Sequence, residues 1–302
     1  MKNVECDKTL IVIAGPTASG KTAFSIALAK ALNTVIISAD SRQFYKEMSI
    51  GTAAPTLEEL LQVKHYFVHN ISIEDKYDVA DYEHEVLQLL DELFKTHDHI
   101  VMTGGSGLFI DSVCNGIDVM PDVKPEVRQK VETMLKESGI DALSKELQQL
   151  DPEYFAIVDR HNPRRLQRAL EICYQTGLPF SSFRTGETVR RDFEIKKFAL
   201  LWDRQELVDR IDRRVDLMMQ QGLLEEAMAL YPKRQLNALN TVGYKELFAF
   251  FDGDCSLDEA VEQIKIHTRQ YAKRQMTWLR RDHSYRWISI EEMAEVVKTV
   301  LK

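Results

Sequence analysis

The stretch Leu10–Phe24 reads LIVIAGPTASGKTAF and contains the pattern G-x-x-x-x-G-K-T. Around its start, Thr9–Ala14 is a short apolar, β-branched run, which is typical of a buried strand. From Lys21 onward, apolar residues recur at helical spacing, so a helix is predicted to begin directly after the glycines. Strand, glycine loop and helix in this order predict a loop that binds phosphate groups.

The predicted phosphate loop comprises Gly15, Pro16, Thr17, Ala18, Ser19, Gly20, Lys21 and Thr22. Its backbone N–H groups and the N-terminus of the following helix form an anion site. Lys21 adds a positive charge, and the Thr22 hydroxyl suits a Mg²⁺ ion that is bound to phosphate. The alternative is an ordinary turn between a strand and a helix. The motif predicts a polyphosphate ligand without identifying the group attached to it.

The 302 residues are 44% hydrophobic and 28% charged, which is ordinary for a globular protein. No apolar run approaches the ~20 residues of a membrane span, and the N-terminal segment MKNVECDKTL lacks the apolar core of a signal peptide. The cysteines lie far apart without a C-x-x-C pair, at Cys6, Cys114, Cys173 and Cys255. This distribution favours a reducing compartment over a disulfide framework or a zinc finger. We therefore expect a cytoplasmic protein without membrane association.

The net charge is −8, but positive charges are concentrated in two segments. Residues 160–197 carry nine Lys or Arg against four Asp or Glu, and residues 265–286 carry seven against one. Two basic zones on an acidic body favour a polyanionic partner such as nucleic acid, seated in one cleft. The alternative is that these basic side chains lie on solvent-exposed helix faces and bind no partner.

Further strand-like runs recur at 35–39, 99–103, 198–202 and 285–289, with amphipathic helical stretches between them. This alternation predicts an α/β fold, in which a mainly parallel sheet is covered by helices on both faces. Together with the phosphate loop it indicates a P-loop NTPase-like architecture.

Residues 116–196 depart from this alternation. The segments KPEVRQKVETMLKESG, IDALSKELQQLD and NPRRLQRALEICYQTG are consecutive amphipathic helices, each ending at Gly or at an Asp-Pro turn. We therefore expect a helical insertion domain at 116–196 within an α/β core formed by 1–115 and 197–302.

Two further segments are predicted at the edge of the sheet that carries the phosphate loop. VIISADSRQFY places Asp40 just past the carboxyl end of the second strand, and ligands bind outside these ends in open α/β sheets. An acid there could hold Mg²⁺, act as a base, or cap a helix. VMTGGSGLF adds a glycine turn at Gly104–Gly107, whose backbone could approach the site or could be a plain tight turn.

Eight segments follow one another along the chain. They are GPTASGKT (Gly15–Thr22), SADSRQFY (Ser38–Tyr45), IGTAAP (Ile50–Pro55), GGSGLF (Gly104–Phe109), NPRRLQRALE (Asn162–Glu171), DRIDRRVDLMMQQGLLEE (Asp209–Glu226), NTVGYKEL (Asn240–Leu247) and HTRQYAKRQMTWLRR (His267–Arg281). In this order they resemble the tRNA dimethylallyltransferases (tRNA isopentenyltransferases) over nearly the whole chain. That family transfers a dimethylallyl group from its diphosphate to the exocyclic amine of an adenosine beside the tRNA anticodon. The resemblance implies that the loop holds the diphosphate of a prenyl donor, and ATP need not be involved.

The resemblance also implies catalytic roles. The carbon that is transferred becomes cation-like, so the departing diphosphate needs positive charge, supplied by Lys21, a Mg²⁺ ion on Thr22, and Arg214. Arg210, one helical turn before Arg214, would lie on the same helix face and bind the diphosphate as well. Asp40 matches the family's general base, with the adenosine flipped out of the anticodon stack toward it.

Predicted tRNA contacts follow from the matching segments. They are Asp40, Ser41, Arg42, Gln43, Ser106, Arg164, Arg165, Leu166, Gln167, Arg168, Asn240, Thr241, Val242, Gly243, Tyr244 and Lys245. The insertion would contact the anticodon stem, because arginines pair with loop phosphates and stack on bases. The family usually has Thr and Tyr where this chain has Ser106 and Phe109, so Ser106 keeps a hydroxyl whereas Phe109 lacks the phenol oxygen. The zinc finger of eukaryotic relatives is not in the sequence, and we expect a bacterial-type monomer.

Three alternatives remain open from the sequence. A P-loop small-molecule kinase would use Asp40 as the base toward a hydroxyl, and an adenylate isopentenyltransferase would prenylate AMP. A non-catalytic RNA-binding protein would not need Lys21, Thr22 or Asp40.

Overall fold

The computed structural model describes residues 8–300, so Cys6 lies outside the described part of the chain. The chain divides into two compact units. The α/β unit contains the described residues up to 115 and from 190 onward, and the helical unit contains Gly116–Val189. Within residues 8–300, Cys114, Cys173 and Cys255 are free thiols.

Six parallel strands form one sheet in the α/β unit. They are β1 (Thr9–Ala14), β2 (Ile36–Ser38), β3 (His65–Tyr66), β4 (His99–Gly104), β5 (Glu194–Leu200) and β6 (Tyr285–Ile288). Their order across the sheet is β3-β2-β4-β1-β5-β6. The predicted parallel α/β architecture is thereby confirmed, and β1 has the predicted bounds.

The helices are α1 (Lys21–Ala31), α2 (Leu57–Gln62), α3 (Val79–Leu93), α4 (Gly107–Asn115), α5 (Pro125–Leu150), α6 (Pro152–Ile157), α7 (Pro163–Thr176), α8 (Arg204–Gln220), α9 (Leu223–Leu230), α10 (Tyr244–Asp252), α11 (Leu257–Leu279) and α12 (Met293–Val300). Side chains of β1 alternate between two cores because strand side chains point to opposite faces. Leu10 and Val12 share one core with residues of α3 and α4. Ile11 and Ile13 share another core with residues of α1 and α12. Helices therefore cover both faces of the sheet, as predicted.

Strand β5 begins earlier than predicted. The expected strand at 198–202 lies at Glu194–Leu200, so the expected domain boundary at 196/197 falls inside a strand. Three of its first four residues, EIKK, are charged, so the sequence pattern does not indicate a strand there. Lys197 is nevertheless buried, since its ammonium forms an ion pair with Asp282 at 2.8 Å.

The helical unit contains α5, α6 and α7, and its breaks follow the predicted signals. Gly139 interrupts α5 with a φ of 74°, and Gly177 ends α7 in the left-handed region, where glycine has no Cβ penalty. Asp151 begins α6 by accepting the backbone N–H of Tyr154 at 2.9 Å. The unit has its own core, in which Val131, Leu143, Leu147, Leu166, Leu170 and Ile172 are fully buried.

Candidate active site

A cavity of about 530 Å³ lies in the α/β unit at the carboxyl ends of β1, β2 and β4. The phosphate loop from Thr17 to Thr22 lines it, together with the Asp40–Gln43 turn and Gly104. Its other walls come from the loop at Gly51–Ala53, from α8 and α11, and from residues 240–246. The sequence-predicted segments of the α/β unit are therefore brought to one chamber.

The phosphate loop has the backbone shape of an anion-binding nest. Ala18 and Gly20 have positive φ angles of 64° and 85°, a backbone conformation in which neighbouring N–H groups can converge on one anion. Within residues 8–300, the buried Ser19 hydroxyl has no hydrogen-bond partner, so a phosphate oxygen could accept from it. Lys21 donates to the Pro16 carbonyl at 2.8 Å.

Two side chains stabilise the phosphate loop by hydrogen bonds to its carbonyl oxygens. Arg210 donates from Nε to the Ala18 carbonyl at 2.8 Å, and Trp202 donates from Nε1 to the Ser19 carbonyl at 2.9 Å. The guanidinium of Arg210 also stacks on the Trp202 ring, 4.2 Å from its centroid. Arg210 is thus placed to shape the loop, and its contact with the diphosphate stays a prediction.

Lys21 and Arg214 concentrate positive charge inside the cavity. The guanidinium of Arg214 donates from Nη1 to the Thr17 hydroxyl at 3.3 Å. Burial, followed by the charge of Arg214, lowers the pKa of Lys21 to about 8, while the charge of Asp40 opposes this shift. Burial and the charge of Arg210 likewise lower the pKa of Arg214. Two cations that line one cavity favour an anionic ligand here.

Asp40 lies in the same chamber as these cations. Its carboxylate accepts the backbone N–H of Arg42 at 3.1 Å, in a turn that does not open a helix, so the helix-cap alternative is wrong. Burial raises the pKa of Asp40, while this N–H and the charge of Lys21 pull that pKa down. A carboxyl with a raised pKa is a stronger base than free aspartate when it is ionised.

The turn that carries Asp40 is anchored by its neighbours. Ser106 accepts the backbone N–H of Ser41 at 3.0 Å and donates to the Ser41 hydroxyl at 3.1 Å. The amide of Gln43 donates to the Ala53 carbonyl at 3.1 Å. The Ser106 hydroxyl therefore holds the turn that carries Asp40, and its contact with tRNA stays a prediction.

The segment from Asn240 to Lys245 is only partly available to a ligand. Asn240, Thr241, Val242, Gly243 and Lys245 line the cavity. Tyr244 is fully buried, and its hydroxyl donates to Glu226 at 2.7 Å. Its burial corrects the prediction that Tyr244 contacts tRNA.

Sequence reasoning missed several residues that shape the chamber. Glu226 accepts three backbone N–H groups of the 49–51 loop at 2.8–2.9 Å. Gln275 bonds both the phosphate loop and the glycine turn. One signal was present in α11, where Ile264, Thr268, Tyr271 and Gln275 recur at helical spacing and all line the cavity.

In the helical unit, the predicted tRNA segment lies at the start of α7. Arg164 and Arg165 are exposed, Gln167 is half-buried, and Arg168 is 3.8 Å from Glu171. Leu166 is fully buried in the core of this unit, which corrects the prediction that it contacts tRNA.

Part of each basic zone is used in internal ion pairs. In residues 160–197, Arg191 pairs with Glu83 at 2.6 Å and Lys197 with Asp282 at 2.8 Å. In residues 265–286, Lys265 and Arg269 pair with acids of α8. Among the described residues, nine basic side chains of the two zones form no ion pair with an acidic side chain. They are Arg160, Arg164, Arg165, Arg184, Arg190, Lys273, Arg274, Arg280 and Arg281.

The oxygen atoms near the phosphate loop fit a Mg²⁺ ion that is coordinated mainly by the phosphates of a bound substrate. Thr22 and Asp40 both line the cavity. Within residues 8–300, no group of three or more His, Cys, Asp or Glu side chains is arranged to hold a metal. Mg²⁺ is usually bound by one or two protein oxygens together with substrate phosphates and waters. The Thr22 hydroxyl therefore suits an ion that a diphosphate brings with it.

Comparison with known proteins gives one consistent result. Residues 43–282 match the family model described as IPP transferase. The chain is 50% identical over 290 residues to tRNA dimethylallyltransferase 1 of Bacteroides fragilis, covering 96% of each chain. It is 52% identical over 283 residues to the tRNA dimethylallyltransferase of Christiangramia forsetii, covering 94% of each.

Solved structures agree with these relatives. The full-length tRNA isopentenylpyrophosphate transferase of Bacillus halodurans superposes with a TM-score of 0.72 at 33% identity, covering 97% of this chain and 96% of that one. A eukaryotic dimethylallyltransferase acting on tRNA superposes with a TM-score of 0.77 at 26% identity, covering 93% of this chain and 74% of that one. Because the family model matches most of the chain and relatives are about 50% identical over nearly its whole length, the chain belongs to the IPP transferase family.

Proposed function

We propose that this protein transfers a dimethylallyl group from dimethylallyl diphosphate to the exocyclic amine of the adenosine adjacent to the anticodon in tRNA, releasing diphosphate. The observation that carries this proposal is the single cavity that holds both an anion-binding loop with two cations and a carboxylate of raised pKa. The names of the relatives, which describe tRNA dimethylallyltransferases, supply the substrate class.

The phosphate loop serves the leaving group. The bond between the allylic carbon and the diphosphate oxygen breaks, so negative charge accumulates on the departing diphosphate. Lys21, Arg214 and the backbone N–H groups of the loop stabilise that charge. A Mg²⁺ ion, when bound, neutralises part of the same charge. Because the loop recognises phosphates alone, it does not require ATP.

Asp40 serves the nucleophile. The exocyclic amine of adenosine is a weak nucleophile, since its lone pair is delocalised into the purine ring. As the new N–C bond forms, the nitrogen becomes acidic and must lose a proton. Asp40 accepts that proton, and its raised pKa makes the carboxylate a better acceptor. The adenosine must leave the anticodon stack to reach it.

The pH dependence of kcat/KM for the prenyl donor should be bell-shaped. Only ionised Asp40 accepts a proton, so activity is lost as pH falls through its raised pKa, above the range of a free aspartate. Lys21 attracts the diphosphate only in its charged form, so activity is lost as pH rises through its pKa of about 8. A Lys21→Arg variant should move the alkaline limb upward, because guanidinium stays charged. An alkaline limb that is identical in both proteins would assign it to another group.

Arginines of α7 should bind phosphates of the anticodon stem. We expect an Arg164/Arg165/Arg168→Gln variant to bind tRNA more weakly, with the slope of log affinity against log salt flattened by about 2–3. Dimethylallyl diphosphate affinity should stay the same. Lys124, Lys136 and Lys145 are exposed in the same helical unit, so a Lys124/Lys136/Lys145→Gln variant removes the same charge elsewhere. Equal effects in the two variants would mean that only net charge matters.

A direct assay separates this function from its competitors. Purified protein is incubated with labelled dimethylallyl diphosphate, Mg²⁺, and either a tRNA anticodon stem-loop or AMP. We expect label in the stem-loop. Label in AMP alone would make the protein an adenylate isopentenyltransferase, and saturable ATP consumption with a small acceptor would make it a kinase. We further propose that the enzyme works as a monomer in the cytoplasm. Within residues 8–300, no helix is both long and apolar enough to span a membrane.

A further inference from the structure

Gln275 in α11 is a buried neutral side chain with both ends of its amide engaged. Its Oε1 accepts the backbone N–H of Thr17 at 2.8 Å, and its Nε2 donates to the carbonyl of Gly105 at 2.9 Å. An N–H can only donate and a carbonyl can only accept, so these partners fix the orientation of the amide. The side chain is 6% exposed, and water competes little for either bond.

The partners of Gln275 belong to opposite halves of the chamber. Thr17 is in the phosphate loop, and its hydroxyl accepts from Arg214. Gly105 precedes Ser106, whose hydroxyl holds Ser41 beside Asp40. The approach is close enough that a Cβ on Gly105 would lie 2.2 Å from Nε2 of Gln275. One side chain thus connects the half that holds the leaving group to the half that holds the base.

We infer that Gln275 is a positioning residue whose amide fixes the separation between the bound diphosphate and the Asp40 carboxylate. This inference rests on the proposed function, because it assigns the leaving group to the loop and the proton to Asp40. Transfer requires the allylic carbon, the amine and the base to be aligned at one moment. A misplacement of about 1 Å between such groups lowers rates by roughly 10²-fold. Each substrate binds on its own half, so affinity depends less on the bridge than the rate does.

A Gln275→Met variant tests this inference, because Met has similar length and forms neither hydrogen bond. Under single-turnover conditions, with enzyme in excess over the anticodon stem-loop and saturating donor, we expect the rate constant to fall roughly 10- to 10²-fold. The reaction amplitude and the KM values for donor and stem-loop should change little. Gln263 is exposed on the same helix, so Gln263→Met makes the same chemical change away from the chamber and should have no effect.

The dependence of the rate constant on enzyme concentration distinguishes positioning from a purely structural role. A variant that is partly misfolded would need more enzyme to saturate the stem-loop but would then reach the wild-type rate constant, and that result would overturn the inference. A rate constant equal to that of the wild type at every enzyme concentration would overturn it as well. If Gln275→Met does not fold, Gln275→Glu provides the same test. Its carboxylate still accepts from Thr17 but presents an oxygen to the Gly105 carbonyl, so the rate constant should again fall.

The wild-type protein in the same assay separates the two levels of inference. Absence of transfer by the wild type, with donor and Mg²⁺ present, would refute the proposed function itself. Transfer by the wild type together with a Gln275→Met rate constant equal to it would refute only the role of Gln275.

Discussion

Replacing Asp40 by Ala should lower the turnover number by roughly 10²–10⁴-fold, while the affinity for tRNA changes far less. The reason is that the proton leaves the amine only as the N–C bond forms, so a base stabilises the transition state and not the bound substrate. Its carboxylate accepts the backbone N–H of Arg42 at 3.1 Å and a further bond from the backbone N–H of Gln43, and loss of these bonds should disturb the turn only slightly. Steady-state kinetics with an anticodon stem-loop measure turnover, and filter binding measures affinity.

Two further variants at this position sharpen the test. Asp40→Asn keeps the shape of the side chain and accepts the Arg42 N–H, yet it has no useful basicity, so it should be as slow as Asp40→Ala. Asp40→Glu keeps a basic carboxylate but places it one methylene farther from the backbone, so it should recover part of the turnover that Asp40→Ala loses. Near-normal turnover of Asp40→Asn would show that this residue orients the turn or binds the metal, and the base would have to be another group.

The local part of the fold could be predicted from the sequence, because its signals are contained in short segments. The strand, glycine loop and helix at 9–31 follow from residue type and spacing, and β1 and α1 begin where the pattern places them. Asp40 could be located because it follows a strand at the ligand-binding edge of a parallel sheet. Strand β5 was misplaced because Lys197 reads as exposed, and only its distant partner Asp282 makes its burial tolerable.

The supporting contacts of the site could not be predicted in this way. Trp202 and Arg210 hold carbonyls of a loop more than 180 positions earlier in the chain, and no local pattern specifies such a pair. Carrying over whole family segments assigns a role in tRNA binding to too many residues. Leu166 and Tyr244 lie inside matching segments but face protein cores, because a helix that presents some residues to a ligand must bury others.

Arg214 should have the second-largest effect on catalysis. Its guanidinium lines the cavity beside the phosphate loop and donates to the Thr17 hydroxyl at 3.3 Å. Negative charge on the diphosphate increases as the allylic bond breaks, so a cation placed there stabilises the transition state more than the ground state. We expect Arg214→Gln to lower turnover by roughly 10²–10³-fold, the range seen when one preorganised donor is removed from a charge-stabilising site.

A charge-preserving variant tests whether geometry matters at Arg214 as well as charge. Lysine carries the charge on one point and lacks the planar fork of arginine, so Arg214→Lys should recover only part of the lost rate. Arg213 is exposed at the preceding position of α8, and Arg213→Gln removes the same charge outside the cavity, so it should leave turnover unchanged. The rates should be compared with dimethylallyl donors whose leaving groups differ in acidity. A more acidic leaving group needs less stabilisation and should reduce the deficit of Arg214→Gln. A deficit that is the same for every leaving group would show that Arg214 acts by holding the phosphate loop in place.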